Sequence, residues 1–276
     1  MTCPQGEVSR PRSLDSVSTS HLDPMHEIEA QTPAPEFLAC YQAAGQHLQK
    51  RAGGTRLNWL KAMPTPPFLE HLSFAMGNQL FFLRIEDADD RLNVPGNRSG
   101  LHSIASGCRG FACLLLMRCG PGGWVPVNPG WGLIDSQSGG PVIPPDLVRD
   151  EPVEMTDWEL HDFAVQTVRT CLEKEGREIM SSQGNPSVDP SLWFVGDKGP
   201  EWVVVRAVRY PDRDAPVPGN WNEIEESASR LSRNGHFASV AIASAEDSFD
   251  SDAPPTPLWR GHGMYVSYEG LTPGPS

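Results

Sequence analysis

The sequence predicts an α+β protein in which a small α+β unit with a β-meander precedes a C-terminal αβββαβ mixed sheet flanked by helices. Three observations support this class. The second half alternates amphipathic segments that begin with capping signals and short runs of β-branched residues. Pro and Gly are abundant, with 27 and 26 residues, so turns must be frequent. A length of 276 residues and a hydrophobic fraction of 38% suit one large or two small domains with a sizeable core.

The first half predicts a tail followed by a small domain over residues 36–150. Residues 1–35 are rich in Ser, Pro and Thr and have no periodicity, which is typical of a disordered tail. Apolar residues at helical spacing predict a helix over 36–51, which ends at Gly53 and Gly54. The small domain therefore begins with a helix.

The rest of the small domain is predicted to be mostly strand. Segment 71–87 is rich in Phe and Leu and contains a turn signal at Gly77-Asn78. Segment 100–119 predicts a short helix followed by a buried strand. Segment 122–145 predicts the β-meander, because Asn-Pro-Gly and Ser-Gly-Gly turns separate its short apolar runs.

The second domain is predicted over residues 151–276 and begins with the most regular helix of the chain. Thr156 is placed as its N-cap, and Glu159 three residues later completes a capping box. A continuous apolar stripe follows, and Gly176 ends the helix.

Three strands are predicted next, over residues 177–183, 189–196 and 201–210. The third is nearly continuous in Val, which is typical of a central strand covered on both faces. A second helix is predicted to begin at Asn220 with Glu223 as its capping partner, to bury Leu231, and to stop at Gly235. A fourth strand over 236–247 and an edge strand over 264–271 complete the sheet.

Composition limits the classes of function. A formal net charge of -13 disfavours polyanion binding unless basic residues cluster on one face. The longest apolar run, 111–117, is too short to cross a bilayer, and the N-terminus lacks the apolar region of a secretory signal. The six cysteines have neither a disulfide nor a zinc-knuckle spacing, so they are expected to be reduced thiols. We therefore expect a cytoplasmic protein that does not bind membranes and has a protein partner, with nucleic acid as a second option.

The candidate site residues centre on the predicted hairpin over 188–210. Asp189, at the entry of the first strand, is either a turn-capping residue or a metal ligand. Arg206 contacts a phosphate or carboxylate, or it covers the sheet and pairs with a helix acid. Arg209 points to the opposite face of the same strand. Gln183 either binds a ligand near Asp189 or is a polar strand end.

The order α-β-β-β-α-β together with Asp189 resembles the restriction-endonuclease-like, or PD-(D/E)xK, fold. The resemblance implies that Asp189 binds a divalent metal and that Glu159 is the assisting helical acid. It also implies an acid and a lysine on the third strand, where this chain has Val204 and Arg206. Arginine does not release its proton, and a magnesium site requires several hard oxygen ligands. Because some members move the missing acid to the second helix, Glu223 and Glu226 are the replacements available.

Two further features suggest partners. The stretches GNQLFFLRIED, GPEWVVVRAVRYP and PLWRGHGM resemble uncharacterised proteobacterial proteins of integrating conjugative elements. That resemblance implies association with a mobile genetic element and no established activity. Trp124 and Trp131 lie in the Pro- and Gly-rich meander, where they either form a protein-binding surface or anchor the N-terminal core.

Two functions are consistent with these observations. The first is a non-catalytic binding or scaffold protein on a degenerate nuclease fold, which needs no cofactor. The alternative is a divergent nuclease that acts on DNA with Mg²⁺. In that case Asp189 and either Glu159 or a helix acid would bind the metal, and Arg206 would contact phosphate.

Overall fold

A computed structural model describes residues 33–53, 57–64, 71–250 and 253–275 of the chain. The predicted disordered tail, 1–35, lies outside these residues except at its C-terminal end. The protein is α+β, as predicted, and is built on two six-stranded sheets that each mix parallel and antiparallel pairs. No helix among the described residues combines the length and apolar character needed to cross a bilayer.

The N-terminal sheet is assembled from short strands around one parallel pair. Its elements in chain order are α1 (Pro35–Arg51), β1 (Asn58–Lys61), β2 (Leu72–Met76), β3 (Gln79–Asp87), α2 (Arg98–Gly107), β4 (Phe111–Gly120), β5 (Gly123–Pro126), β6 (Leu133–Asp135) and the short α3 (Pro144–Leu147). The strand order is β1-β2-β3-β4-β5. Helix α2 connects the parallel strands β3 and β4, and β2 turns into β3 at Gly77-Asn78 as predicted.

The predicted β-meander has a different connectivity. Strands β5 and β6 each pair with β4 and not with each other. After β5 ends at Pro126, the backbone N–H of Val127 still donates to the carbonyl of Leu116 on β4. The long strand β4 therefore offers enough backbone to pair with both short strands in succession.

Two helices cover the two faces of the N-terminal sheet. The predicted stripe of α1, which includes Phe37 and Leu48, is buried against one face together with Phe74. On the opposite face, Leu101 of α2 packs with Phe82. Residues that alternate along β2 and β3 therefore belong to two separate cores.

The C-terminal sheet has the predicted chain order. Its elements are α4 (Asp157–Lys174), β7 (Glu178–Ser182), β8 (Leu192–Gly196), β9 (Gly199–Arg209), α5 (Trp221–Ala228), β10 (Gly235–Ser244), β11 (Met264–Ser267) and β12 (Thr272–Pro273). The strands lie in the order β11-β10-β9-β8-β7, and β12 also pairs with β10. Strands β9 and β10 are parallel, and α5 connects them.

Strand β9 is central and covered on both faces, as its Val-rich sequence predicts. Val203 and Val205 pack against α4, whereas Trp202 and Val204 pack against α5. All four side chains are fully buried. The hairpin that carries the candidate site residues is therefore the core of this sheet.

Helix α5 is shorter than the sequence predicts. It ends at Ala228, the side chain of Asn220 forms no capping hydrogen bond, and Leu231 is exposed. Gly235 begins β10 instead of stopping the helix, and a Cβ there would lie 2.2 Å from the ring of Trp202. Between the end of α5 and the start of β10, the carbonyl of Ser232 accepts from Nε1 of Trp202 at 3.0 Å.

Helix α4 has one buried face and one partly buried face. One face, which includes Leu160, Ala164 and Val168, packs on the C-terminal sheet. The other face turns toward the N-terminal sheet, where Trp158 packs against Gly107 of α2 so closely that a Cβ on that glycine would lie 2.1 Å from the indole. The helix thus lies between the two sheets.

Candidate functional site

Asp189 and Arg206 form a direct ion pair across the hairpin. Asp189 lies in the connection between β7 and β8, and Arg206 lies on the adjacent strand β9. Nη1 of Arg206 donates to Oδ1 of Asp189 at 3.0 Å, and Nη2 donates to Oδ2 at 2.5 Å. Nη1 also donates to the carbonyl of Val205 at 2.8 Å. Both oxygens of the carboxylate are therefore bound by one guanidinium in a bidentate arrangement.

His161 of α4 lies in the electrostatic field of this pair. Its ring is buried, and among the described residues its Nε2 has no hydrogen-bond partner. Burial and the positive charge of Arg206 lower the pKa of His161 to about 4, although the carboxylates of Asp189 and Asp162 act in the opposite direction. The imidazole is therefore neutral at physiological pH. Sequence reasoning missed this residue, because a histidine within an apolar helix stripe carries no local signal of function.

Glu159 is held at the start of α4 by partners other than Asp189. It completes the predicted capping box, in which its Oε2 accepts from the N–H of Thr156 at 2.9 Å. The same carboxylate accepts from Nε of Arg260 at 2.8 Å and from Nη2 at 2.9 Å. The side chains of Glu159 and Arg260 are both buried. Glu159 is thus fully engaged as a helix cap and an ion-pair partner.

Arg260 links three parts of the chain. Besides Glu159, its guanidinium donates to the carbonyl of Asn78 in the β2–β3 turn at 3.2 Å and to the carbonyl of Cys108 at the end of α2. The backbone N–H of Arg260 donates to the carbonyl of Val153. The sequence surrounds Arg260 with Trp, Gly and His and offers no signal for this role, because its partners are more than 100 residues away.

Arg209 and Gln183 contact residues other than Asp189 and Arg206. Arg209 pairs with the helix acid Asp157 and donates to the carbonyl of Met155 at 2.9 Å. The Gln183 side chain accepts from the N–H of Asn185 at 3.0 Å, which stabilises the turn after β7. These contacts are local or structural.

Trp124 and Trp131 are both partly buried against the core of the N-terminal sheet. The guanidinium of Arg91 lies 5.8 Å from the ring centroid of Trp124, within cation–π range. The carbonyl of Trp131 accepts from Nε2 of His47 at 3.1 Å. Their contacts fit the anchoring role more closely than that of a free protein-binding surface.

In the part of the chain that the structure describes, the carboxylates needed for a metal site are not gathered in one place. Within residues 33–53, 57–64, 71–250 and 253–275, no three His, Cys, Asp or Glu side chains are placed to hold a metal ion together. Glu223 and Glu226, the acids of the second helix, are exposed on α5. Asp189 instead has a guanidinium as its nearest charged partner.

Comparison with known proteins provides one match. A family model described as a domain of unknown function, DUF8840, matches residues 158–273, which is less than half of the chain. The matched segment runs from α4 to β12 and includes Asp189, Arg206 and Arg260. No curated protein and no solved structure matches the chain significantly.

We expect the substitution Arg260→Met to destabilise the protein strongly. It leaves the buried Glu159 carboxylate with only its capping contacts to Thr156 and removes the donor from the carbonyls of Asn78 and Cys108, and breaking a buried ion pair costs roughly 3–5 kcal/mol. The decrease in the free energy of unfolding is measured by urea unfolding at pH 7. Arg177→Met, which breaks an exposed pair with Asp197, is the matched control and should cost much less. Equal losses in the two variants would contradict the linking role of Arg260.

We expect His161 to make the protein less stable as the pH falls from about 6.5 to about 4. In this range the unfolded chain binds a proton at this histidine and the folded chain does not, so the free energy of unfolding decreases by about 3 kcal/mol. His161→Leu removes this contribution and should be no less stable than wild type at pH 7. The measurement is urea unfolding of both proteins at several pH values. The difference between them isolates His161 from the other histidines, and parallel curves would show that His161 is not responsible.

Proposed function

We propose that this protein is a non-catalytic binding or scaffold protein of a mobile genetic element, acting in the cytoplasm. Its C-terminal half would be a restriction-endonuclease-like domain that retains the position of a nuclease site without the capacity to bind metal. The observation that carries this proposal is the bidentate ion pair between Asp189 and Arg206.

The ion pair disfavours a divalent cation at Asp189. A magnesium or calcium ion requires several oxygen ligands with free lone pairs. Both oxygens of Asp189 accept from a guanidinium that stays charged at any physiological pH. A cation at this position would have to displace Arg206 and then tolerate its positive charge at close range.

The remaining positions of a nuclease motif are also occupied by other interactions. Val204, at the third-strand acid position, is fully buried against Trp221 and Ile224 of α5. Glu159 is bound by the capping box and by Arg260. A carboxylate in place of Val204 would lie within an apolar core, so this sequence favours packing over metal binding at that position.

An exposed aromatic surface offers a place for a protein partner. We define it by Phe249, Tyr265 and Val266, which are exposed by 48%, 57% and 39%. The ring centroids of Phe249 and Tyr265 are 5.9 Å apart, and Tyr210 packs edge-on against Phe249. Tyr265 and Val266 belong to β11, which ends the strand order of the C-terminal sheet. Edge strands leave backbone groups available for pairing with another chain.

The charges beside the aromatic surface indicate which kind of partner would bind there. A groove of about 580 Å³ adjoins it and is lined by Asp212, Asp214, Glu269 and a single basic residue, Arg213. The chain as a whole is acidic. We infer that the occupant is an extended, basic protein segment that adds a strand to β11 and places its cations near the acids and the aromatic rings.

The catalytic part of the proposal is tested with purified protein, single- and double-stranded DNA, and Mg²⁺ or Mn²⁺. We expect no cleavage and no metal-dependent rise in the melting temperature, because Asp189 is already bound. The variant Asp189→Ala is assayed alongside. Cleavage by the wild-type protein that this variant abolishes would overturn the proposal and establish the nuclease alternative.

The binding part is tested with two synthetic hexapeptides, one alternating Arg and Val and one alternating Glu and Val. We expect the Arg-Val peptide to bind more tightly, with an affinity that falls as salt is added. Phe249→Ser and Tyr265→Ser should weaken its binding about tenfold, because each removes an exposed aromatic contact. Leu231→Ser, which changes another exposed apolar residue, is the control. Equal binding of both peptides, or equal loss in all three variants, would contradict the proposed surface.

A further inference from the structure

A cavity of about 270 Å³ lies between the N-terminal sheet and the second face of α4. Leu80 and Phe82 of β3 line one side, and Trp158 and Phe163 of α4 line the other. Ligand sites occur preferentially at such junctions between structural units. This cavity shares no lining residue with the groove beside the aromatic surface.

Ser73 lines this cavity, and its side-chain hydroxyl is buried and unsatisfied. The residue is 1% exposed, and its Oγ has no hydrogen-bond partner among the described residues. Ser73 is opposite Phe82 in the β2–β3 register, so it belongs to the sheet face that turns toward α4. A buried hydroxyl without a partner is unfavourable, and a bound molecule with a hydrogen-bonding group would satisfy it after the Ser73 side chain rotates toward the cavity.

The charged side chains around the cavity are neutralised in pairs. Lys61 binds Asp162 at 2.6 Å, and Glu159 binds Arg260. Burial raises the pKa of the Cys108 thiol to about 12, so the thiol is uncharged at neutral pH. The cavity therefore suits a neutral molecule.

The size and lining of the cavity limit the molecule further. An apolar cavity of about 150 Å³ accommodates benzene in another protein, so about 270 Å³ suits a fused two-ring system. The aromatic rings of Phe82, Trp158 and Phe163 offer faces and edges to such a planar ligand. The Gln166 amide adds a second hydrogen-bonding group to the wall.

We propose that this cavity is a binding site for a small, neutral, two-ring aromatic molecule whose one polar group bonds to the Ser73 hydroxyl. The site does not depend on the proposed function of the C-terminal half, because its polar anchor lies on β2. Occupation would link α4 to the N-terminal sheet and stabilise the junction between the two sheets.

The test uses two probes of the same shape, indole and indene, of which only indole carries an N–H donor. Binding is followed by ligand-detected NMR and by the rise in melting temperature. We expect indole to bind wild-type protein roughly tenfold more tightly than indene, the effect of one hydrogen bond. Failure of both probes to bind, or equal affinity for the two, would overturn the proposal.

Two variants locate the binding. Ser73→Ala should reduce the affinity for indole to that for indene while leaving indene unchanged, a selectivity effect that a purely structural role would not produce. Leu60→Trp, at the partly exposed rim of the cavity, should block both probes. Leu231→Trp is the control, because it adds the same ring at an exposed leucine away from the cavity. Unchanged indole binding in Leu60→Trp would place the probe elsewhere and refute the assignment.

Discussion

The buried ion pair between Arg260 and Glu159 is the interaction on which the arrangement of the two sheets depends. It fastens the segment after β10 to the start of α4, and through the carbonyls of Asn78 and Cys108 it also fastens both to the N-terminal sheet. A buried guanidinium is tolerated only where its donors find acceptors, and here they find a carboxylate and two carbonyls. The pair therefore acts as a specific connection in addition to any contribution to stability.

Because α4 is held at this point, each of its two faces contacts a different part of the protein. On one face, His161 lies in the field of the Asp189–Arg206 pair, beside a sheet whose central strand buries Trp202 to Val205. On the other face, Trp158 packs on α2 and the adjoining residues enclose the cavity with Ser73 in its wall. The two polar features of the interior are thus separated by one helix. Neither Asp189 nor Arg206 lines the cavity.

Much of the local structure could be predicted from the sequence, whereas the candidate site could be predicted only in part. Helical spacing placed α1 and α4, and the Val-rich run placed the central strand, because such patterns report burial over a few neighbouring residues. The predicted burial of Leu231 was wrong, since α5 ends at Ala228 and the apolar face of the helix does not extend to Leu231. The predicted β-meander was wrong because β4 is long enough to pair with both β5 and β6.

The sequence by itself determined the αβββαβ order of the C-terminal elements, the capping box at Thr156 and the unsuitability of Val204 as a metal ligand. These properties depend on residue type and on contacts within a few positions. Only the tertiary structure decided that Arg206 binds Asp189, that Glu159 binds Arg260, and that Ser73 lines a cavity beside α4. Each of these depends on which groups from distant parts of the chain meet in a space from which water is excluded. Local sequence patterns carry no information about such contacts. A charged or hydroxyl-bearing residue is the same in the sequence whether or not the fold brings a partner to it.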